Sequence, residues 1–391
     1  MLGYQHMVHR TYWHKLLESA WSRKSIIWLT GVRRVGKTFL CQSIPDIEYF
    51  DCELPRVRRQ IESPEDFLSK LKKKRIVLDE VHRLPNPSEI LKIAADHFPS
   101  LRVIATGSST LQASSRFRDT LAGRKSLVWL TPIMSQDLMD FSNQDLPHRY
   151  LRGGLPPFFL APDFPESDFQ EWIDSYWAKD ILELFRLERR HSFQKFMELL
   201  FLQSGGLFEA TRFAGPCEVS RSTITNYLTV LEATWVMHVI RPFSTRRSVE
   251  IISAPKIYAF DTGFVCYFRG WDQLREDDLG YLWEHWILNE MQSHLQSSAV
   301  NYWRDKRGHE VDFILAPRGR KPIAIECKWK AEQFELGNLK AFRNRYPEGQ
   351  NWIICQDIDQ GYSRSYETLK VDFMSLKELG MRLRRLMGRS I

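Results

Sequence analysis

The run Gly31-Val-Arg-Arg-Val-Gly-Lys-Thr38 sets four residues between two glycines and follows the second at once with lysine and threonine. That spacing suits a loop wrapped around phosphate. The glycines let the backbone turn its N–H groups inward at phosphate oxygens. Lys37 supplies a point charge for the β- and γ-phosphates, and Thr38 offers a hydroxyl to Mg²⁺. An apolar run, Ile26 to Thr30, precedes the loop, and a helical pattern opens at Lys37, whose positive dipole end adds to the site. The expected phosphate contacts are Gly31, Val32, Arg33, Arg34, Val35, Gly36, Lys37, Thr38 and Phe39. The competing reading is a turn that happens to contain glycine.

A second acidic motif fits the first. Arg75-Ile-Val-Leu-Asp-Glu80 reads as a strand ending in two acids. Asp79 can hold the Mg²⁺ shell, and Glu80 can orient a water toward the γ-phosphate. Val103-Ile-Ala-Thr-Gly-Ser-Ser109 is a strand ending in small hydroxyl residues, of which Thr106, Ser108 or Ser109 can touch the γ-phosphate or its water. Turn chemistry explains those residues equally well. Arg116, Arg118 and Arg124 follow, each a candidate arginine finger toward a neighbouring subunit.

A separate constellation lies near the C-terminus. Glu326 and Lys328 alternate with Ile325, Cys327 and Trp329 on a strand from Pro322 to Trp329, so acid and lysine emerge on one face. Asp312 lies on the preceding strand between Val311 and Phe313, which are expected to point the opposite way. Two adjacent strands can bring Asp312 and Glu326 together around Mg²⁺ or Mn²⁺. Such a metal activates water for attack on a phosphodiester, and Lys328 can orient that water. Glu284 shares a helical face with Ile287, Leu288 and Met291, where an acid needs a partner. The competing readings are a cross-strand ion pair and, for Glu284, a buried salt bridge to a residue such as Lys328.

The elements that position these groups follow from the apolar pattern. Short runs at Ile26–Thr30, Ile47–Phe50, Ile76–Leu78, Val103–Ala105 and Leu127–Leu130 alternate with helical stretches. Buried strands alternating with helices predict an α/β fold with a parallel sheet covered on both faces. Beyond about residue 145 come a turn-rich Arg152-Gly-Gly-Leu-Pro-Pro157, a helical region from Ser167 to about Gln203, and Gly205-Gly206. Two short helices follow. The second, opening at Ser220 or Ser222 as N-cap, buries Ile224, Leu228 and Leu231 and leaves Arg221, Ser222, Thr225 and Asn226 outward. That is a helix-turn-helix pattern, and Val236–Ile240 with Arg241 to Arg247 reads as the basic wing of a winged helix. Its alternative use is domain packing. The tail, Ser375 to Arg389, is a basic amphipathic helix.

These motifs together resemble a bacterial and archaeal family of AAA-type (AAA+/STAND-like) P-loop ATPases that carry a winged helix and a C-terminal domain like the PD-(D/E)XK nucleases. The resemblance rests on Gly31–Thr38, Leu78-Asp-Glu80, Thr106-Gly-Ser-Ser109, Leu121-Ala-Gly-Arg124, Arg152-Gly-Gly-Leu-Pro156, Asp261-Thr-Gly263, His309-Glu-Val-Asp-Phe313 and Ile325-Glu-Cys-Lys328. It implies an ATPase domain over 1–145, a helical lid over 146–205, a winged helix over 206–275 and a nuclease-like α/β domain over 276–391. It further implies that Lys37, Thr38, Asp79 and Glu80 bind and hydrolyse ATP with Mg²⁺, and that Glu284, Asp312, Glu326 and Lys328 form the nuclease-type set. The basicity of Arg33-Arg34 departs from the family's loop and is left without a role.

Composition bounds the partners. The 391 residues carry a net charge of +7, and the pI is about 9.0, which admits a polyanion such as DNA. No apolar run is long enough for a membrane span. The N-terminus shows no export signal, and six scattered cysteines form no C-x-x-C pair, so reduced thiols in the cytoplasm are expected. The combined expectation is Mg-dependent ATP hydrolysis coupled to DNA binding and metal-dependent DNA cleavage, in a possible homo-oligomer. The alternative is a nucleotide-controlled switch that binds DNA or protein without cutting.

Overall fold

The computed structural model describes residues 8–107, 121–164, 166–182, 189–245 and 254–388, with 185 and 187. Five strands form the first sheet: β1 (Ile26–Thr30), β2 (Glu48–Asp51), β3 (Arg75–Asp79), β4 (Arg102–Thr106) and β5 (Lys125–Trp129), in the order β2-β3-β4-β1-β5. Every pairing is parallel. Alternate residues on the central strands β1, β3 and β4 enter different cores. Ile27, Leu29, Val77 and Ile104 join one, while Ile26, Trp28, Ile76 and Val103 join the other. Both faces are covered, which is why these strands read as unbroken apolar runs. Because β4 lies between β1 and β3, the phosphate loop after β1 and the acids after β3 open on the same sheet edge with the end of β4 between them.

Among the described residues, the chain beyond residue 205 contributes a second sheet of nine strands. Its strands are β6 (Gly206–Leu207), β7 (Met237–Pro242), β8 (Lys256–Ala259), β9 (Asn301–Arg304), β10 (Glu310–Leu315), β11 (Ile323–Lys328), β12 (Asn351–Cys355), β13 (Tyr362–Tyr366) and β14 (Leu369–Met374). The order is β13-β14-β12-β11-β10-β9-β7-β8-β6. The sheet therefore runs across residues 275 and 276 without a break: β7 pairs with β9 in parallel, Arg241 beside Asn301. The helix Glu276–Leu295 is buried on nearly all sides, with Trp283, Trp286 and Ile287 at 2 % exposure or less.

In the middle segment, the helix expected after Ser220 forms with its apolar stripe buried. Ser220 caps the helix Arg221–Ala233, its hydroxyl accepting from Thr223 N at 3.1 Å. Ile224, Leu228 and Leu231 are buried, and Arg221, Ser222, Thr225 and Asn226 are exposed. β7 and β8 form the antiparallel pair beyond it. Arg246 and Arg247 of the expected wing lie outside the described residues. Among the described residues, no helix is long and apolar enough to cross a membrane.

Candidate functional site

The phosphate loop closes tightly against the sheet. Gly31 has φ +148°, and a Cβ there would lie 2.3 Å from the Leu130 carbonyl oxygen, so only glycine fits. Lys37 Nζ reaches back to the carbonyl oxygens of Gly31 at 2.9 Å and Val32 at 3.1 Å. Thr38, first turn of the helix Lys37–Gln42, donates to Asp79 Oδ2 at 2.9 Å. Asp79 also accepts from the hydroxyls of Tyr49 and Thr106. Thr106 Oγ1 in turn accepts from the Glu80 N–H at 3.0 Å. The end of β4 thus holds the two acids in place, and Thr106 does so through Asp79 and the Glu80 backbone.

Glu80 adopts a left-handed backbone, φ +51°, a conformation that costs energy in a non-glycine residue and recurs at functional positions. Its carboxylate sits 3.1 Å from His82 Nδ1. Burial alone would raise the Glu80 carboxyl. The His82 hydrogen bond and the charges on Lys37 and Arg33 hold it below the usual carboxylate range. It is therefore ionised at neutral pH, as a water-orienting base must be.

A cavity of about 380 Å³ opens over this centre. Gly31, Val32, Arg33, Arg34, Gly36, Lys37, Thr38, Phe39 and Glu80 line it. Val35 is wholly buried behind the loop, and Asp79 lies behind Thr38. Phe141, Pro156, Pro157 and Leu160 give the cavity an apolar wall suited to a nucleobase. Ser108, Arg116 and Arg118 lie outside the described residues. Arg124 is not in the cavity. It pairs with Asp96 on the surface, Nε to Oδ1 2.7 Å.

Several cavity residues escaped the sequence. Arg10 is 3 % exposed, with its guanidinium on Asp137 at 3.0 and 2.6 Å and on Val35 O at 3.2 Å. Tyr176, Lys179, Asp180 and Thr234 come from the middle segment. They also explain the loop's basicity. Arg34 pairs with Glu171, and Arg33 NH1 lies 3.7 Å from Asp180 Oδ2. Trp172 Nε1 donates to the Arg33 carbonyl at 3.1 Å. The only sequence signal was the unexplained pair of arginines.

The C-terminal set is assembled differently from the expectation. Val311 enters one core and Phe313 the other, because the register between β9 and β10 shifts between Val311 and Ile314. The expectation that both flank Asp312 on its opposite face is corrected by this irregularity, which breaks strand alternation. Asp312 Oδ2 accepts from Cys327 N at 2.8 Å, and Lys328 Nζ lies 3.0 Å from Glu326 Oε2. Glu284 binds elsewhere than Lys328. Its Oε1 accepts from Tyr258 and lies 3.3 Å from Lys256 Nζ, which also reaches Glu310 at 2.5 Å. Neither Lys256 nor Glu310 was singled out in the sequence. Burial and the nearby Glu284 push the Asp312 carboxyl up. Burial and Asp312 push Glu326 up to about 7. Glu326 is 1 % exposed, and its Oε1 has no hydrogen-bond partner among the described residues. Among the described residues, no three His, Cys, Asp or Glu side chains are already set to hold a metal.

Residues 23–139 match the model of the AAA domain family. This segment is a P-loop AAA-type ATPase domain. Residues 143–275 match a domain of unknown function (DUF8612), and 279–376 match another (DUF4143). The chain is 29 % identical over 326 residues to Uncharacterized protein Rv2008c of Mycobacterium tuberculosis and to Uncharacterized protein Mb2031c of Mycobacterium bovis. Each match covers 80 % of this chain and 72 % of the relative. Among solved structures, the Walker-type ATPase PABY2304 of Pyrococcus abyssi matches at 16 % identity and TM-score 0.42, over 67 % of this chain and 96 % of that one. Thermococcus gammatolerans McrB AAA+ hexamers with bound McrC match at 10 % identity and TM-score 0.22, over 51 % and 52 %. The ATPase domain supports ATP binding and hydrolysis, with Mg²⁺ the expected counter-ion.

Proposed function

We propose that the chain is a Mg-dependent ATP hydrolase whose nucleotide state governs DNA binding and cleavage by the segments beyond residue 143. The observation that carries the reading is the convergence of Lys37, Thr38 and Glu80 on one cavity, with Asp79 hydrogen-bonded behind Thr38 and Glu80 held ionised. Thr38 and Asp79 are the residues that would hold Mg²⁺, which neutralises charge on the β- and γ-phosphates. Glu80 orients the attacking water, and Lys37 turns from the loop carbonyls to the phosphates. DNA contact is assigned to the exposed face of the helix Arg221–Ala233.

The C-terminal acids fit a cation. Asp312 and Glu326 are hard oxygen donors, and the buried Glu326 Oε1 is left without a hydrogen-bond partner among the described residues. A bound Mg²⁺ or Mn²⁺ would activate water for phosphodiester attack, with Lys328 oriented by Glu326. A second reading, a switch that binds DNA or protein without cutting, is favoured by one observation. Glu284 is committed to Lys256 and Tyr258, which leaves two carboxylates.

The test incubates the intact chain with ATP, DNA and Mg²⁺ or Mn²⁺. Phosphate release should persist in Glu326→Ala, vanish in Lys37→Ala and fall about 100-fold in Glu80→Gln, the size typical of losing a water-positioning group. DNA cleavage should vanish in Glu326→Ala and Lys328→Ala. Hydrolysis without cleavage in any nucleotide state selects the switch. A wild type that releases no phosphate sinks the hydrolase reading.

A further inference from the structure

We propose that Arg33 reads the terminal phosphate of ATP in cis, and that Asp180 is the resting counter-ion it leaves to do so. The proposal rests on the hydrolase reading above.

Arg33 is the third residue of the phosphate loop and lines the same cavity as Lys37 and Glu80. Its guanidinium lies 3.7 Å from Asp180, beyond hydrogen-bond length. Arg33 Nε and Asp180 Oδ2 both lack a hydrogen-bond partner among the described residues. The pair is thus close enough to attract and too far apart to be satisfied, a weak resting contact for two largely desolvated groups. A phosphate presents several charged oxygens, and a guanidinium takes two of them in parallel. Asp180 at 3.7 Å gives Arg33 no such fork, so a terminal phosphate within reach outcompetes it. ADP lacks that phosphate and leaves Arg33 on Asp180.

The surroundings restrict the exchange to this side chain. Trp172 holds the Arg33 carbonyl, and Arg34 is paired with Glu171. Both partners sit on the helix Glu166–Tyr176. Asp180 sits just beyond, in the π-helical turn Trp177–Leu182, a rare geometry that recurs at functional sites. Without Arg33, the Asp180 carboxyl faces burial and Glu80, with Lys37 and His82 in partial compensation. The turn then has reason to move. In this way the middle segment distinguishes ATP from ADP without a residue from another subunit.

The experiment measures turnover, and equilibrium binding of ADP and of a non-hydrolysable ATP analogue, with Mg²⁺ on the intact chain. Arg33→Ala should lower kcat about 100-fold, as loss of one oriented charge at the phosphate does, and weaken the analogue about 10-fold while ADP shifts less than about threefold. Arg33→Lys should recover analogue affinity more than kcat, because the fork is lost and the charge kept. Asp180→Asn should tighten the analogue relative to ADP by about fivefold, since no counter-ion is surrendered. Equal shifts for ADP and the analogue in both Arg33→Ala and Asp180→Asn overturn the proposal and leave a structural tie. Unchanged turnover in Arg33→Ala overturns it alone. A wild type that binds no nucleotide overturns the hydrolase reading as well.

Discussion

The Gly154 backbone N–H donates to Asp261 Oδ2 at 2.6 Å, joining residues 107 positions apart. Two motifs that looked unrelated along the chain, Arg152-Gly-Gly-Leu-Pro156 and Asp261-Thr-Gly263, are thereby one buried node. Asp261 also caps the helix Thr262–Arg269 and lies 3.5 Å from the buried Arg149. Gly153 approaches so closely that a Cβ would sit 2.1 Å from Asp261 Oδ1. Pro156, three residues on, is part of the cavity wall.

Asp261→Ala removes the counter-ion of a wholly buried guanidinium. It should destabilise the chain by about 3–5 kcal/mol, the usual cost of leaving one partner of a buried pair alone. The midpoint of urea unfolding measures it, and a loss below about 1 kcal/mol would show the node to be dispensable.

Glu290 predicts a loss of stability as pH rises from the ordinary carboxylate range to about 7. Its carboxyl is pushed up to about 7 by burial, against the opposing hydrogen bonds from Ser135 N and Oγ. The folded state thus holds a proton that the unfolded chain has released. Stability from this group is full below the ordinary carboxylate pKa and is lost as pH rises through about 7. Glu290→Gln should flatten that decline and gain up to about 3 kcal/mol over wild type at pH 8, at 1.36 kcal/mol per pKa unit. Glu326, shifted in the same direction, keeps a residual slope in the variant. Parallel pH–stability curves for the two proteins would refute the assignment.

A cation held by Asp312 and Glu326, as proposed above, would stabilise the folded state by mass action. In a Thr38→Ala background, which weakens the nucleotide site's own metal, Mn²⁺ at 100 times its Kd should add about 2.7 kcal/mol to unfolding stability. Glu326→Gln should abolish the gain. A Mn²⁺ response that survives Glu326→Gln places the ion elsewhere.

The DNA binding proposed for the helix Arg221–Ala233 should be salt dependent. Arg221→Ala should reduce the slope of log affinity against log salt by about 1, as the loss of one phosphate contact does. Fluorescence anisotropy at several salt concentrations reads the slope. An unchanged slope and affinity would remove this helix from the interface.

Much of this was legible because local chemistry dictated it. The central strands β1, β3 and β4 are buried on both faces, so each appeared as an apolar run, β1 at its observed bounds and the other two short by one residue at either end. Ser220 announced the helix it caps, and Ile224, Leu228 and Leu231 announced its buried face. What escaped depended on distance along the chain or on backbone irregularity. Lys256 is one lysine in a polar stretch until folding places it between Glu284 and Glu310. Asp180 looks like any solvated acid on a helix until Arg33 comes within reach. The register shift at Val311–Ile314 has no signature, since V-D-F-I-L reads equally well as a regular strand.

The pairing of β7 with β9 has a consequence for how such chains can diversify. Residues 143–275 and 279–376 match separate families, yet Arg241 and Pro242 of the first are hydrogen-bonded neighbours of Asn301 and Tyr302 of the second. A fragment ending at residue 275 would bare the β7 edge, and one starting at 279 would bare β9. Unprotected edges invite mispairing with other chains. Recombination that shuffles one segment onto a foreign partner must therefore supply a replacement strand. Inheritance as a single block avoids that demand.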